Sequence, residues 1–222
     1  MTLALIHTSA TLVPVFQELC KKYLPEIETF NIVDDSLIKY TIRAGKLLPE
    51  TARRVVDYVS SAEAAGADQI LVTCSSIGAA VETAAGLSKI PVLRVDQPMA
   101  DLAVATGQRI GVVATLPTTL GPTSDLVQRR ANVANKSIEL KSVLCEGAFE
   151  ALMGGDPTLH DEKVKTALLQ LIPQVDVILL AQASMARVVA QLEDADKKIP
   201  ILSSPELAIQ TLAERIKQNG RF

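Results

Sequence analysis

The chain has 222 residues, 48% of them hydrophobic and only 3% aromatic, with no Trp, which suits one large α/β domain or two small ones around an aliphatic core. Its net charge of −3 at pH 7 comes without a basic run, so nucleic acid and anionic membranes are poor partners. Three widely spaced cysteines, Cys20, Cys74 and Cys145, form no CxxC pair and no zinc pattern, and they fit reduced thiols in a cytosol.

The opening stretch MTLALIHTSA is too short and too quickly polar for a signal peptide, and no apolar run reaches spanning length. The expectation is a soluble, cytoplasmic protein. Strands are predicted at 3–7, 69–73, 92–95, 109–114, 138–144, 177–180 and 199–202. Helical patterns lie at 49–66, 77–87, 97–106, 124–134, 161–171, 184–194 and 205–218, the first with Pro49 early and Gly66 past its end. Cys20 falls inside the helical pattern VFQELCKKYL and reads as core; Asp34 and Asp35 read as loop residues. Short β-branched runs that alternate with amphipathic segments imply parallel sheets covered by helices.

The chain then repeats itself. ADQILVTCSSI lies over VDVILLAQASM, which sets Asp68 on Asp176, Ser76 on Ser184 and Cys74 on Gln182, 108 residues on. ALIHTSAT lies over GVVATLPT, which sets Thr8 on Thr115, 107 residues on. Two pairs at nearly one offset, both at strand ends, point to duplication. The fold expected is α/β: two pseudo-symmetric three-layer lobes with parallel sheets and an active-site cleft between them. The first lobe is residues 1–97 plus 205–222, and the second is 98–204. One sheet with recurrent βα units is the competing reading.

Ligands of parallel α/β units bind beyond the carboxyl ends of the strands, where helix N-termini offer free N–H groups. Cys74, Gln182, Thr8 and Thr115 all occupy that position. A thiol before a helix should have a lowered pKa and serve as base, acid or nucleophile; a small buried hydrophobe is its other reading. Thr73, Ser75 and Ser76 are placed to bind a substrate carboxylate or orient the sulfur. In GVVATLPTT, Thr115, Thr118 and Thr119 form a neutral anion cradle suited to a carboxylate, or cap a helix. His7 ends the first strand, as a polar cleft residue or a hydrogen-bonded structural one. His160 reads as a loop or cap residue, with proton donation as an alternative. Cys145 reads as structural. No GxGxxG, Walker loop, HExxH or GxSxG occurs.

At these residues the chain resembles the aspartate/glutamate racemase superfamily, which includes amino-acid and hydantoin racemases, maleate isomerase and arylmalonate decarboxylase. The resemblance rests on the cysteine after ILVT, on GVVAT with its trailing threonines, and on VILLAQASMA. It implies chemistry without cofactor or metal. Two thiols work on opposite faces of a substrate α-carbon, while hydroxyls and amides hold the carboxylate. Carried over, Cys74 is the first thiol. Thr115, Thr118 and Thr119 hold the carboxylate, and His7 and Thr8 form the first-lobe wall. Gln182 stands where the second thiol is expected, and an amide does not exchange a proton with carbon. It is read instead as a hydrogen-bond partner of the substrate.

The expected activity is a cofactor-independent isomerase or racemase acting on a small carboxylate through Cys74. The alternatives are a one-cysteine decarboxylase of a malonate-like acid and an inactive carboxylate-binding protein. No Arg or Lys is recognised inside the site motifs; Arg43 and Arg187 read as surface residues. A homo-oligomer is compatible with this size of α/β chain.

Overall fold

The computed structural model describes residues 1–219, which form two compact units. The first comprises Met1–Gln97 and the chain from Pro205 onward; the second is Pro98–Ser204.

In the first unit β1 (Thr2–His7), β2 (Glu28–Val33), β3 (Gln69–Val72) and β4 (Val92–Arg94) make an all-parallel sheet in the order β2-β1-β3-β4. Side chains alternate across a strand, and both faces of this sheet are buried. Ala4, Ile6, Ile70 and Val72 pack with Leu37 of α2 (Ser36–Ala44), Val55 and Val59 of α3 (Pro49–Ala64) and Val81 of α4 (Gly78–Leu87). Leu3, Leu5, Leu71 and Leu93 pack with Phe16 and Cys20 of α1 (Leu12–Tyr23) and with Ala208, Ile209 and Leu212 of α10 (Ser204–Asn219). Two-faced burial explains why the strands read as unbroken apolar runs.

The second unit repeats the arrangement. Strands β5 (Arg109–Ala114), β6 (Glu139–Leu144), β7 (Val177–Leu180) and β8 (Ile201–Ser203) lie parallel in the order β6-β5-β7-β8. One face carries Val113, Ile178 and Leu180 against Val164, Leu168 and Leu171 of α8 (Pro157–Leu171) and Val188 of α9 (Ala186–Val189). The remaining helices are α5 (Gln97–Thr106), α6 (Pro117–Val133), which packs on β5 and β6, and α7 (Ala148–Met153), which packs on α8. The repeated aspartates do one job in both units. Asp68 accepts from the Thr2 N–H at 2.7 Å, and Asp176 accepts from Arg109 N–H at 2.8 Å and Gln108 N–H at 3.1 Å. Each ties the start of the central strand to its neighbour.

Three expectations are corrected. Strand β2 and helix α2 lie where no element is predicted. Helix α6 begins at Pro117, not at 124, and carries Pro122 in its interior. The segment after β7 is a 3₁₀ turn and the short α9 rather than a helix over 184–194. No helix among the described residues is long and apolar enough to cross a membrane.

Candidate functional site

In the first unit, β3 runs out through Thr73 to Cys74, which keeps extended backbone (φ −132°, ψ 119°) before a 3₁₀ turn, Ser75–Ile77, leads into α4. Small side chains allow this tight turn against the sheet edge, and Ser75 and Ser76 are buried in it. Cys74 keeps partial exposure, whereas Cys20 and Cys145 are buried. The Thr8 hydroxyl at the end of β1 hydrogen-bonds the Cys74 sulfur, as do the backbone N–H groups of Ser76 and Ile77.

The thiol's acidity differs from the expectation. Burial pushes the Cys74 pKa up, and the hydrogen bonds from Thr8, Ser76 and Ile77 pull it down. The negative charge of Asp96 pushes up again, and the net direction is upward. Loss of solvent around the anion outweighs the donors at the helix start. Cys74 therefore rests as a thiol. Burial also raises Cys20 and Cys145, each to about 11.

His7 is fully buried. Its Nε2 lies 2.9 Å from Asn31 Oδ1 and its Nδ1 2.9 Å from Thr73 Oγ1. The Thr73 hydroxyl also donates to the Ile6 carbonyl at 3.2 Å. Burial lowers the His7 pKa despite the Asn31 bond, so the ring is neutral and braces β1 against β2 and the end of β3.

Sequence reasoning missed a charged cluster beside Cys74. Arg94, at the end of β4, is 2% exposed and Asp96 is 0% exposed. Arg94 donates from Nε to Asp96 Oδ1 at 2.7 Å, from Nη2 to Oδ2 at 2.8 Å, and from Nη1 to Glu82 Oε1 of α4 at 2.5 Å. Arg94 lies outside the motifs that carry Cys74, Thr115 and Gln182, and its guanidinium is occupied by Asp96 and Glu82. The signal was present: in PVLRVD, arginine and aspartate two residues apart share one face of an otherwise apolar strand. Arg187 is held by Asp161 at 2.8 Å, and Arg43 is exposed, its guanidinium 5.8 Å from the Tyr40 ring centroid.

In the second unit Gln182 takes the backbone position of Cys74, extended (φ −138°, ψ 138°) before the 3₁₀ turn Ala183–Met185. Its amide is engaged with Thr115: Oε1 accepts from the Thr115 N–H at 2.6 Å and Nε2 donates to Oγ1 at 2.8 Å. Thr115, Thr118 and Thr119 are all buried where β5 meets α6, and Leu116 carbonyl accepts the N–H groups of Thr119 and Leu120. Thr118 Oγ1 is buried with no protein hydrogen-bond partner among the described residues.

His160, in the first turn of α8, is fully buried with Nδ1 2.7 Å from Asp161 Oδ1. Burial pushes Asp161 up, but hydrogen bonds from Arg187, His160 and Gln191 and the Arg187 charge bring its pKa down to about 2. No group of three or more His, Cys, Asp or Glu residues suited to a metal occurs among the described residues.

Two parallel four-stranded units, with Cys74 beyond one central strand and buried threonines beyond another, define an α/β protein of repeated lobes. The family model for Asp/Glu/Hydantoin racemase matches residues 4–212, and the chain belongs to that family. A search of curated proteins gave no match. Among solved structures, a glutamate racemase isoform from Bacillus anthracis is 18% identical with a TM-score of 0.75, covering 99% of this chain and 82% of that one. Allantoin racemase from Klebsiella pneumoniae is 17% identical with a TM-score of 0.68, covering 99% and 89%. Aspartate racemase from Picrophilus torridus is 14% identical with a TM-score of 0.69, covering 96% and 94%. These likenesses are of fold.

Proposed function

We propose that the protein is a cofactor-independent racemase or isomerase that exchanges a proton at the carbon next to a small carboxylate, with Cys74 as the group that carries the proton. The observation behind this is the setting of Cys74: a partly exposed thiol at a strand end, met by the Thr8 hydroxyl and two backbone N–H groups. Those donors stabilise the thiolate formed when Cys74 gives up its proton, and they orient the sulfur. Family membership supports the reaction class.

In this reading Ser75 and Ser76 line the thiol's surroundings and His7 stands behind them as a brace. Thr115, Thr118 and Thr119 hold the carboxylate. The buried Thr118 hydroxyl supports that role, since an unpaired buried polar group costs stability unless it serves a partner. Gln182 orients Thr115 and supplies no proton. An enediolate protonated by Cys74 on one face gives retention unless a second acid serves the other.

Proton NMR in D₂O tests the proposal, using aspartate, glutamate, other amino acids, allantoin and other hydantoins, maleate and substituted malonates beside Cys74→Ala. Cys74-dependent loss of an α-proton signal supports it. Inversion identifies two-sided exchange and retention one-sided exchange. A folded protein that binds one of these acids without any Cys74-dependent change would be a carboxylate binder, and the proposal would be wrong.

A further inference from the structure

His160 Nε2 is a buried nitrogen with no hydrogen-bond partner among the described residues, on a ring that is fully enclosed. Buried polar atoms are almost always paired, so an unpaired one needs an account. The other ring nitrogen is well served: Nδ1 lies 2.7 Å from Asp161 Oδ1. Arg187 and Gln191 also donate to that carboxylate, whose pKa of about 2 keeps it ionised. An ionised carboxylate only accepts, so Nδ1 carries the proton of the neutral ring and Nε2 presents a lone pair. Arg187 Nη2 also passes 3.5 Å from Nδ1, but a protonated nitrogen has no lone pair to offer it.

The position of the ring along the sheet follows from packing. Leu171, at the far end of α8, covers Gly111: a methyl group built there would meet Leu171 Cδ2 at 2.7 Å and Ile178 Cγ1 at 3.2 Å. Helix α8 runs back against the parallel strands, so the stretch from Leu171 to His160 climbs about 16 Å, or about five strand residues, toward their carboxyl ends. Because Gly111 pairs with Ile178, that climb ends level with Thr115 and Gln182. The side of the sheet is the same too. Val113, Ile178 and Leu180 face α8, and alternation puts Thr115 and the still extended Gln182 on that side. Val164, one turn along α8 from His160, packs in the same cluster as Val113 and Leu180.

The duplication sharpens this. Helices α3 and α8 both begin at a proline, Pro49 and Pro157, 108 residues apart, the offset that relates Cys74 to Gln182. His160 therefore matches Ala52, which packs on the same cluster as Cys74. The first unit has a thiol at the strand end and a methyl group on the helix. The second has an amide at the strand end and an imidazole on the helix.

We propose that His160 is the proton-transfer group of the second unit: its Nε2 takes the α-proton from the enantiomer that Cys74 does not serve, while Thr115 and Thr118 hold the carboxylate. This rests on the proposed exchange at the α-carbon. The partly exposed Gln182 side chain, at the level of the ring, turns aside to admit that carbon. The Nε2 lone pair takes the proton, the C–H bond breaks, and its electron pair enters the carboxylate as an enediolate. The Asp161 carboxylate stabilises the imidazolium so formed. Cys74 S–H then gives its proton to the carbon, and turnover in the opposite sense, or exchange with solvent, restores both groups.

The test follows each enantiomer of each acid separately by proton NMR in D₂O. The parent should invert its substrate. His160→Gln should slow α-deuteration of one enantiomer by about 10²–10⁴-fold and spare the other, and Cys74→Ala should show the reverse. Should His160→Gln fail to fold, Asp161→Asn keeps the imidazole but favours a proton on Nε2, and should slow the same enantiomer. Equal slowing of both enantiomers by a folded variant would report only a structural role and overturns the proposal, as does no slowing of either. Exchange with retention in the parent also overturns it and leaves the proposed function standing, whereas no exchange on any acid sinks both. A second readout needs no substrate. His7 is the only other histidine, so long-range proton–nitrogen correlation of labelled protein reads the His160 ring directly. A neutral ring with its proton on Nδ1 is expected; one protonated on Nε2 overturns the proposal.

Discussion

Gln182 and Thr115 hold each other through two hydrogen bonds, the amide oxygen on the Thr115 N–H at 2.6 Å and the amide nitrogen on its hydroxyl at 2.8 Å. In the first unit the matching residues, Cys74 and Thr8, are also joined by a hydrogen bond. The strand-end pair is thus kept in both units, but the thiol's place is taken by an amide that engages the threonine's N–H and hydroxyl oxygen and leaves its hydroxyl proton to donate. Replacing Gln182 by Leu leaves the Thr115 N–H without an acceptor and should cost about 1–3 kcal/mol. Gln182→Glu keeps an acceptor for it and should cost less. Urea denaturation at pH 7 ranks the two; equal losses would mean that the amide bonds contribute little.

Thr8→Val removes the hydroxyl that pulls the Cys74 pKa down. The pH profile of Cys74 alkylation by iodoacetamide should move to higher pH, and at pH 8 Cys74 should react more slowly than in the parent. A faster reaction would show that Thr8 shields the sulfur rather than stabilising its anion.

Two glycines of α4 should respond in opposite senses. At Gly78 an added methyl overlaps the Arg94 guanidinium, whereas at Gly86 it meets nothing within 4 Å. Gly78→Ala should destabilise by about 1–3 kcal/mol through overpacking. Gly86→Ala should stabilise by up to about 0.5–1 kcal/mol through helix propensity. Thermal melts of both variants compare them directly, and a Gly78→Ala protein as stable as the parent would contradict the close packing described.

Asp161 gives a pH signature. Its folded pKa of about 2 lies below the ordinary 3.8, so between those values the unfolded chain binds more protons. The stabilisation is complete above about pH 4 and is lost as the pH falls through about 2, with a size on the order of 2 kcal/mol. The stability gap between the parent and Asp161→Asn should therefore hold above about pH 4 and narrow from there to about pH 2. A constant gap would place the effect in packing.

The strands that are buried on both faces were plain in the sequence because Ile70, Leu71 and Val72, or Ile178, Leu179 and Leu180, admit no other element between turn residues. Strand β2 was not, because ETFNIV is a half-exposed edge with neither a clean alternation nor an apolar run. Helix α2 hid behind Asp34, which looks like a loop residue and accepts the Ser36 N–H at 3.0 Å at the helix start. The start of α6 was obscured by Pro117, Thr118, Thr119 and Pro122, residues that signal turns but that here place proline in the first turn of a helix. The places of Cys74, Thr115 and Gln182 just beyond β3, β5 and β7 were legible from the apolar runs that precede them. The acidity of Cys74 was not legible. It depends on burial and on Asp96, a residue 22 positions away in sequence that only sheet pairing brings near.

The route of the chain has a consequence for how the protein is made. One face of the first unit's core, Leu3, Leu5, Phe16 and Leu71, is closed by Ala208, Ile209 and Leu212 of α10, residues synthesised only after the whole of the second unit. A ribosome delivers Pro98–Ser204 as one contiguous piece, while the unit begun first waits open for its last helix. Translation that stalls before Pro205 would release a product with a finished second half and a bare aliphatic sheet in its first, the kind of surface that chaperones bind and that aggregates when they do not.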